Sequence, residues 1–557
     1  MILRKRLRCF AVIGLVGVLA PALAAQGQTV VVTAKSASEL ASDLEALIKA
    51  VAPNDPQAQA ILDGIKQFQE VAILKGFDRT RKFGVALTLP RNFPQESLTV
   101  VAAVPVTDLG QFLDSLKDLG LAVDDQSGAP GFSHKVSAPN GSPSFYVVQS
   151  KKYALFSMAP NGADRLKALD VSSWWKQNRP ETVLSARVRV AEIPDAIRDQ
   201  FIAGFEGQTQ NERDKKPGES DAQYRGRIAG QELAAAGIRA FVKEGDTLAL
   251  DLDFDRKTGA LALDLAVSGR PGTAMAKNLR AFGAMRSRFQ ALGSNADLAL
   301  AVRFPMSKEL GESFSRIMDD SVKPEEDRLK DGAQKDVFKR LFDLVKSAFS
   351  SPDTDLGMSI RRGKSAGTGK FLMLFGVSVP DSAAAERLAH DAARQFELEK
   401  GFGIDFDVAK AVDGTAIHRI TVPYDEKDRE DEYILRTFGK ASFNFAFPRG
   451  AVVAAFGENA QEPLRRLVAD VSAPRPAAGP DGPAIATIRL ARLADMAETD
   501  KERVEFHQAA ANAFKGKDAK RDRAALAVKG DGDGIRLRLE VDIPVLRMLA
   551  ELGDDDK

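Results

Sequence analysis

An internal repeat constrains the fold of this chain more than any other feature of its sequence. The segment His134–Pro139 (HKVSAP) matches His418–Pro423 (HRITVP). Further along each half, Val188–Asp195 (VRVAEIPD) matches Ile488–Asp495 (IRLARLAD). Self-similarity of this kind is the sequence signature of a structural unit that occurs more than once.

Two further matches keep the same order along the chain. Val104–Thr107 (VPVT) resembles Val379–Ser382 (VPDS), and the alternating segment Leu261–Val267 resembles Ile535–Val541. The two halves differ in length within polar tracts, where exposed loops tolerate insertions. This pattern favours a tandem duplication.

The matches also predict the domain boundaries. We expect one copy over residues 29–290 and a second over residues 295–553. The proline-rich tract 472–484 is interpreted as a stiff linker inside the second copy, because proline restricts the backbone to extended conformations.

Short alternating strands and amphipathic helices predict an α+β fold. Leu98–Val104 is rich in β-branched residues, and Pro105 ends this strand because proline cannot donate to a sheet. Thr107 is the expected N-cap of the helix that follows. Leu248–Phe254 and Leu261–Val267 both alternate and flank a turn, which predicts a hairpin. We therefore expect antiparallel sheets with amphipathic helices packed on one face.

The N-terminus has the three-part pattern of a secretory signal peptide. A cationic stretch ends at Arg8, an apolar stretch runs over Ala11–Ala20, and Pro21–Ala24 carries an A-x-A cleavage pattern. The apolar stretch is shorter than the roughly 20 residues that a membrane-spanning helix needs. We expect residues 1–24 to be removed, leaving a periplasmic or extracellular protein with no transmembrane segment.

Composition narrows the possible chemistry. Cys9 is the only cysteine of the chain and lies in the predicted signal peptide. The mature chain would therefore lack disulfides, cysteine-bound zinc and a thiol nucleophile. Lys and Arg total 78 against 77 Asp and Glu, a net charge of +1, which argues against a nucleic-acid partner.

Two segments resemble ligand-binding motifs but depart from them. Gly363–Lys370 lacks a phosphate-binding pattern, since Thr368 stands where that pattern needs glycine and Phe371 follows the lysine. The aspartates of Asp251–Asp255 suggest a calcium loop, but Arg256 replaces its required glycine. We interpret the first segment as a hairpin loop and the aspartates as the solvent face of a strand. The sequence assigns no catalytic residue, metal ligand or cofactor.

Four residues remain as candidates for a binding site. His134 and His418 occupy equivalent positions of the repeat, so that their rings could face a common interface between the copies, although a strand position inherited by both copies is the simpler explanation. Trp174 and Trp175 could form a platform for a sugar or peptide, or a hydrophobic plug.

Residues 100–120 (VVAAVPVTDLGQFLDSLKDLG) contain a strand, a proline, a helix cap and a helix in succession. The chain also has a predicted signal peptide, and its mature part lacks thiols. This combination resembles large uncharacterised exported bacterial proteins with repeated domains of unknown function. We expect a non-catalytic binding or scaffolding protein with an envelope or extracellular partner. A carrier of a lipid or other apolar ligand is the alternative, and a carboxylate-dependent hydrolase is a further one.

Expression of the full chain in a bacterial host tests the export prediction. We expect intact-mass spectrometry of the product to give a protein that begins at Ala25 or Gln26, because the A-x-A pattern ends at Ala24. A product that retains Met1 and stays in the cytoplasmic fraction would contradict the prediction.

Overall fold

The structure, a computed structural model, describes most of the chain. The described residues are 28–52, 56–70, 74–89, 98–176, 178–179, 181–211, 213–219, 221–305, 311, 315, 318–319, 332–349, 351, 353–363, 371–395, 403–424, 429–473, 482–494 and 501–553. The predicted signal peptide, loop residues 364–370 and most of the predicted linker lie outside them. No helix in the described part of the chain is both long and apolar enough to cross a bilayer.

The fold is α+β, as predicted, and the chain forms two compact units. Unit 1 comprises Met1–Phe205, Ala240–Ala276 and Asp542–Ala550. Unit 2 comprises Glu206–Arg239, Lys277–Val541 and Glu551–Lys557.

Unit 1 is built on an antiparallel sheet of ten described strands. In chain order these are β1 (Val30–Ala34), β2 (Phe83–Thr88), β3 (Thr99–Pro105), β4 (Ala122–Asp124), β5 (His134–Ser137), β6 (Ser144–Ser150), β7 (Tyr153–Ser157), β8 (Thr182–Arg189), β9 (Gly245–Asp255) and β10 (Ala260–Gly269). Their order across the sheet is β4-β5-β6-β7-β3-β2-β1-β8-β9-β10. The predicted hairpin is confirmed as β9 and β10.

Unit 2 has ten described strands in the same arrangement. They are β11 (Leu298–Phe304), β12 (Thr354–Arg362), β13 (Phe371–Ser378), β14 (Gly403–Lys410), β15 (Ala416–Thr421), β16 (Ser442–Ala446), β17 (Ala451–Gly457), β18 (Ala484–Arg489), β19 (Arg523–Asp531) and β20 (Gly534–Asp542). Their order is β14-β15-β16-β17-β13-β12-β11-β18-β19-β20, all antiparallel. This is the order of unit 1 with every strand number raised by ten.

The pairing registers of the two sheets also correspond. Thr33 of β1 lies opposite Gly84, and Ala301 of β11 lies opposite Gly357. The arginine that ends β8 or β18 donates its backbone amide to the carbonyl of the residue immediately before β1 or β11. Arg189 N lies 2.8 Å from Thr29 O, and Arg489 N lies 2.6 Å from Asp297 O. These arginines are the ones that the sequence repeat aligns.

The helices connect the strands and vary from one to about six turns. They are α1 (Ala37–Val51), α2 (Pro56–Glu70), α3 (Leu109–Asp118), α4 (Ala163–Lys167), α5 (Asp195–Asn211), α6 (Asp221–Glu244), α7 (Ala274–Ala284), α8 (Ala333–Phe349), α9 (Ser382–Gln395), α10 (Arg429–Phe438), α11 (Gln461–Ser472), α12 (Leu490–Leu493), α13 (Lys501–Ala513) and α14 (Ile543–Gly553). The N-cap of α3 is Asp108 rather than the predicted Thr107, because its carboxylate accepts from Gln111 N at 2.9 Å.

Helices pack on both faces of the unit 1 sheet, so the predicted single covered face is wrong. On face A, Val148 and Leu155 pack in one cluster with Ala163 of α4. On the opposite face B, Val147 packs in a second cluster with Phe112 of α3. Val147 and Val148 are both buried. Since successive strand residues point to opposite faces, both faces of β6 need a cover.

Unit 2 repeats this arrangement with its own helices. On its face A, Val453 packs with Leu464 of α11 and with Phe289, which lies in the segment before β11. On its face B, Phe456 packs with Phe438 of α10. The core of each unit is therefore divided into two layers by its sheet.

Phe289 occupies space that only glycine leaves open. A Cβ built at Gly376 would lie within 2.9 Å of three atoms of the Phe289 ring, and one at Gly357 would collide with the same side chain. Phe289 is fully buried, so the ring has no room to move aside. The glycines of β12 and β13 thus let an aromatic ring lie directly on the sheet.

Replacing Gly376 tests this close packing. We expect Gly376→Ala to lower the free energy of unfolding by about 1–3 kcal/mol, the usual cost of overpacking a core. The control is Gly204→Ala in α5, where an added Cβ meets nothing within 4 Å. That change should stabilise its helix by about 0.5–1 kcal/mol, because alanine has the higher helix propensity. Equal effects of the two substitutions in urea denaturation followed by circular dichroism would contradict the packing argument.

Candidate functional site

His418 is the centre of the most organised polar cluster in unit 2. It lies on β15 opposite Phe445, and its side chain is fully buried on face B. The amide of Asp407 donates to its Nδ1 at 3.2 Å, and its Nε2 lies 3.2 Å from Glu386 Oε1. Because Nδ1 accepts this hydrogen bond, the ring hydrogen lies on Nε2, which therefore donates to the Glu386 carboxylate.

Aromatic rings enclose the imidazole. The ring centroids of Phe406 and Phe445 each lie 5.2 Å from that of His418, and that of Phe447 lies 5.8 Å away. His390 of α9 stacks on Phe406 at 3.7 Å and meets His418 edge-on at 5.7 Å. Burial among these rings lowers the pKa of His418, while the carboxylates of Glu386 and Asp407 act in the opposite direction.

The geometry leaves His418 no free nitrogen for catalysis. A general base needs an unoccupied lone pair within hydrogen-bond reach of the substrate proton. The lone pair of Nδ1 already accepts from Asp407 N, and the Nε2 proton is already donated to Glu386. The cluster is therefore suited to holding β14 and α9 against β15 and not to proton transfer.

His134 occupies the equivalent position in unit 1 but has different neighbours. It lies on β5 opposite Val147, the counterpart of Phe445, on face B. Its side chain is partly exposed, and its Nδ1 lies 2.8 Å from Ser133 Oγ. The two predicted histidines thus share a register position, and each makes its contacts within its own unit.

The two predicted tryptophans lie in a short 3₁₀ turn, Val171–Trp175, on face A of unit 1. Trp174 is 5% exposed and contacts the backbone at Gly84, where an added Cβ would lie 3.2 Å from its ring. Trp175 is partly exposed, and its ring lies 5.8 Å from that of Tyr153. Trp174 is thus part of the core, whereas Trp175 lies at its edge.

Three buried carboxylates form a second polar cluster, on face A of unit 1. Asp251, Asp253 and Asp264 are 5%, 2% and 1% exposed, so their interpretation as the solvent face of a strand is wrong for the first two. Arg179 forms ion pairs with both Asp253 and Asp264. Hydroxyl groups of the neighbouring strand β8 also donate to these carboxylates. Ser185 Oγ lies 2.5 Å from Asp251, and Thr182 Oγ1 lies 2.9 Å from Asp253.

Arg187 and Asn178 extend this acidic cluster. Arg187 Nη2 lies 3.6 Å from Asp251 and 3.4 Å from Asn178 Oδ1, and Asn178 donates to Thr33 at 2.9 Å. A buried ion pair of this kind is costly to assemble but also costly to break, because either partner alone is left as an unpaired charge. The cluster therefore fixes the connection between β7 and β8 onto the sheet.

The equivalent positions of unit 2 are not acidic. By strand register, Asp251, Asp253 and Asp264 correspond to Ala527, Lys529 and Arg538. Ser185 corresponds to Ile485, which packs against the face A core. Among the described residues, no group of three or more His, Cys, Asp or Glu side chains is placed to hold a metal ion.

The opposite face of the same three strands of unit 1 is apolar. Ten residues on face B of β8, β9 and β10 form what we name the aliphatic patch: Leu184, Ala186, Val188, Leu248, Leu250, Leu252, Leu261, Leu263, Leu265 and Val267. Leu184, Leu250 and Leu263 are 39%, 42% and 36% exposed. Register places Leu184 and Leu263 on either side of Leu252, so the exposed leucines lie close together.

Unit 2 has an apolar surface at the equivalent positions. Its members are Ala484, Ala486, Ile488, Ala524, Leu526, Val528, Ile535, Leu537, Leu539 and Val541. Leu539, the counterpart of Leu265, is 38% exposed. Period-two alternation of the last hairpin is visible in the sequence, but alternation does not show which face is exposed, so sequence reasoning missed the patch.

Comparison of the chain with protein-family models, with curated proteins and with solved structures finds no match.

Removing the cation of the acidic cluster tests its structural role. We expect Arg179→Met to lower the free energy of unfolding of unit 1 by about 2 kcal/mol, because two buried carboxylates lose their shared partner. Adding Asp264→Asn to that variant should recover part of the loss. Both tryptophans of the chain lie in unit 1, so tryptophan fluorescence in urea reports on this unit.

Lys49→Met is the matched control for the loss of a cation. Lys49 forms an exposed pair with Glu45 at 2.5 Å within α1. Such pairs contribute about 0.5 kcal/mol or less. A loss in Arg179→Met no larger than in this control would show that the acidic cluster does not stabilise the unit.

Proposed function

We propose that this protein is an exported, non-catalytic binding protein whose aliphatic patch binds the acyl chain of a lipid or fatty acid. The observation that carries the proposal is the exposure of three neighbouring leucines on a stretch of sheet face that is aliphatic up to the buried Phe254 at its end. Contiguous exposed apolar patches are a common mark of binding sites.

Export is supported by the N-terminal pattern. The cationic stretch, the short apolar stretch and the A-x-A motif before Ala25 are typical of a signal peptide. A periplasmic or extracellular protein meets lipids as components of the surrounding envelope.

A tandem duplication is the second part of the proposal. The identical strand order of the two units and their matching registers support it, as do three of the four sequence matches, which begin on equivalent strands. In this view, one ancestral unit already had an aliphatic face on its last three strands. Each copy has kept that face, although the residues on the opposite face have changed.

The chemistry of the patch favours an alkyl chain over a protein partner. Protein interfaces are enriched in aromatic residues and arginine and form about one hydrogen bond per 100–200 Å². The ten side chains of the patch include neither an aromatic ring nor a hydrogen-bonding group. A chain of methylene groups needs no hydrogen bonds and gains about 0.8 kcal/mol for each buried CH₂.

The expected affinity suits a carrier that must release its cargo. Burial of about eight methylene groups would contribute about 6 kcal/mol. Entropic costs of association reduce this gain. The resulting Kd would lie between the micromolar and millimolar ranges.

The polar clusters support a non-catalytic function. His418 has both ring nitrogens in hydrogen bonds, and the buried aspartates of unit 1 are paired with Arg179 and with hydroxyl groups. These side chains are bound to other parts of the same unit.

A dansyl-labelled fatty acid provides the direct test of acyl-chain binding. We expect the mature protein to enhance its fluorescence saturably. Leu250→Ser should raise the Kd about tenfold, because a hydroxyl in the patch removes about 1.4 kcal/mol of apolar contact. Leu263→Ser should act in the same direction.

Val412→Ser is the matched control. Val412 is 94% exposed in the turn between β14 and β15 and is not a member of the patch. Its substitution should leave the Kd within about twofold.

Titration with unlabelled fatty acid and with phospholipid vesicles then separates a free fatty acid from a membrane lipid as the source of the chain. If the probe fails to bind, or if all three variants bind equally, the proposed function is wrong.

A further inference from the structure

The strand β14 contains a bulge at the point where it meets His418. Its pairing with β15 is regular up to Asp405 and resumes at Ala409, with a shifted register. Within the bulge, Asp407 has a φ of +55°, in the left-handed region that costs a non-glycine residue energy. Bulges of this kind need a local anchor, because the residues they contain lose their ladder hydrogen bonds.

His418 supplies that anchor from the neighbouring strand. The Asp407 amide is directed by the bulge toward β15, where it donates to Nδ1 of His418. The bulge also places Phe406 against both His418 and His390. Among the described residues, β14 pairs with β15 alone, so the anchor acts at an edge of the sheet of unit 2.

The anchor depends on the protonation state of one ring. Nδ1 can accept from Asp407 N only while it carries no proton. An imidazolium has a donor on both nitrogens. Protonation would therefore direct an N–H of His418 at the N–H of Asp407. The two donors would repel each other, and the bulge would lose the bond that holds its strained residue.

The charged groups around the ring raise the pKa of His418 in some cases and lower it in others. From α9, Glu386 favours the imidazolium and His390 opposes it, and from β14, Asp407 favours it. Phe445 and Phe447, from β16 and the residue after it, carry no charge. Burial outweighs the two carboxylates, so that the pKa of His418 lies below its ordinary value of 6.5.

We propose that His418 is a pH-sensitive latch, which holds the bulged edge strand β14 on unit 2 when neutral and releases it when the ring is protonated. The latch stands on the contacts of His418 and does not depend on ligand binding by the aliphatic patch. Release would free the edge of β15, which then offers unpaired backbone groups to an added strand.

The sign of the pH effect follows from the lowered pKa. Between pH 6.5 and the pKa in the folded protein, the released segment binds more protons than the latched one. The stability of the latched state is therefore complete above pH 6.5 and falls as the solution becomes more acidic. Within this window each unit of acidification can favour release by up to about tenfold, and below the folded pKa the effect no longer grows.

His134 provides a natural control in the same chain. It occupies the register position of His418, but β4 pairs with β5 without a bulge. Its Nδ1 contacts the Ser133 hydroxyl, which can donate or accept and so tolerates either protonation state. A change at His134 should therefore not release a strand.

Hydrogen–deuterium exchange of the mature protein from pH 8 to pH 5 tests the latch, with rates corrected for intrinsic exchange. We expect protection of residues 403–410 to fall across this range, by at most about thirtyfold between pH 6.5 and pH 5, while that of β11 and β12 stays constant. In His418→Asn, the side-chain oxygen can still accept from Asp407 N but cannot titrate. Protection should then be independent of pH. His134→Asn should behave like the parent protein.

NMR titration of the histidines keeps the proposal testable if His418→Asn does not fold. The chain has four histidines, so single substitutions of the other three assign the His418 resonance. We expect His418 to titrate below pH 6.5 together with the Asp407 amide. Glu386→Gln should move this titration to lower pH, because it removes a carboxylate that stabilises the imidazolium.

Three outcomes would overturn the latch. One is unchanged protection of residues 403–410 down to pH 5. Another is a His418 titration at or above pH 6.5. The third is a pH effect that disappears in His134→Asn instead of in His418→Asn.

Discussion

The register between the first strand of each unit and its two neighbours determines the chemistry of both sheet faces. A slip of one residue would move every side chain of a strand to the opposite face. In unit 1, the observed register places Thr33 opposite Ser185 and Ser185 opposite Asp251, so that one row of polar groups lies inside. The same register leaves the leucines of β9 and β10 on the outside. The buried charges and the aliphatic patch are thus two consequences of one arrangement of hydrogen bonds.

The two units cover an equivalent stretch of sheet with different interactions. In unit 2, Phe289 lies on Gly357 and Gly376, and aliphatic residues complete the layer. In unit 1, Trp174 lies over Gly84, and charged groups from Arg179 to Asp264 continue the layer toward β10. Apolar side chains can pack without any particular orientation of their neighbours. Buried ion pairs, in contrast, need an oppositely charged partner in a defined position. The sheet order is therefore compatible with either solution, and it does not by itself explain why unit 1 uses charges.

The sequence predicts the strands and helices of this fold better than it predicts which of their faces are buried. The hairpin of β9 and β10 and the equivalence of His134 and His418 follow from alternation and from the internal repeat. Alternation gives the period of a strand but not its inner face. Asp251 and Asp253 therefore looked exposed, although Arg179 and the hydroxyl groups of β8 make their burial possible.

The contacts of His418 were beyond prediction for a different reason. Glu386 precedes it by 32 residues on a separate helix, and Asp407 lies in a bulge that no sequence pattern indicates. The repeat predicts where the two histidines lie in their sheets. It cannot predict the partners, because these come from segments in which the sequences of the two halves differ.

Differences and similarities between the units carry different information about function. Features found in one unit alone, such as the aspartate cluster or the bulge of β14, are local adaptations of that unit. A feature present in both is constrained either by folding or by a shared function. Exposed leucines contribute little to folding, because most of the apolar gain comes from side chains removed from water. Both units have aliphatic side chains on these equivalent strands, and the exposed fractions of Leu184, Leu250 and Leu263 in unit 1 and of Leu539 in unit 2 add nothing to stability. A ligand that covers this surface would supply the missing burial.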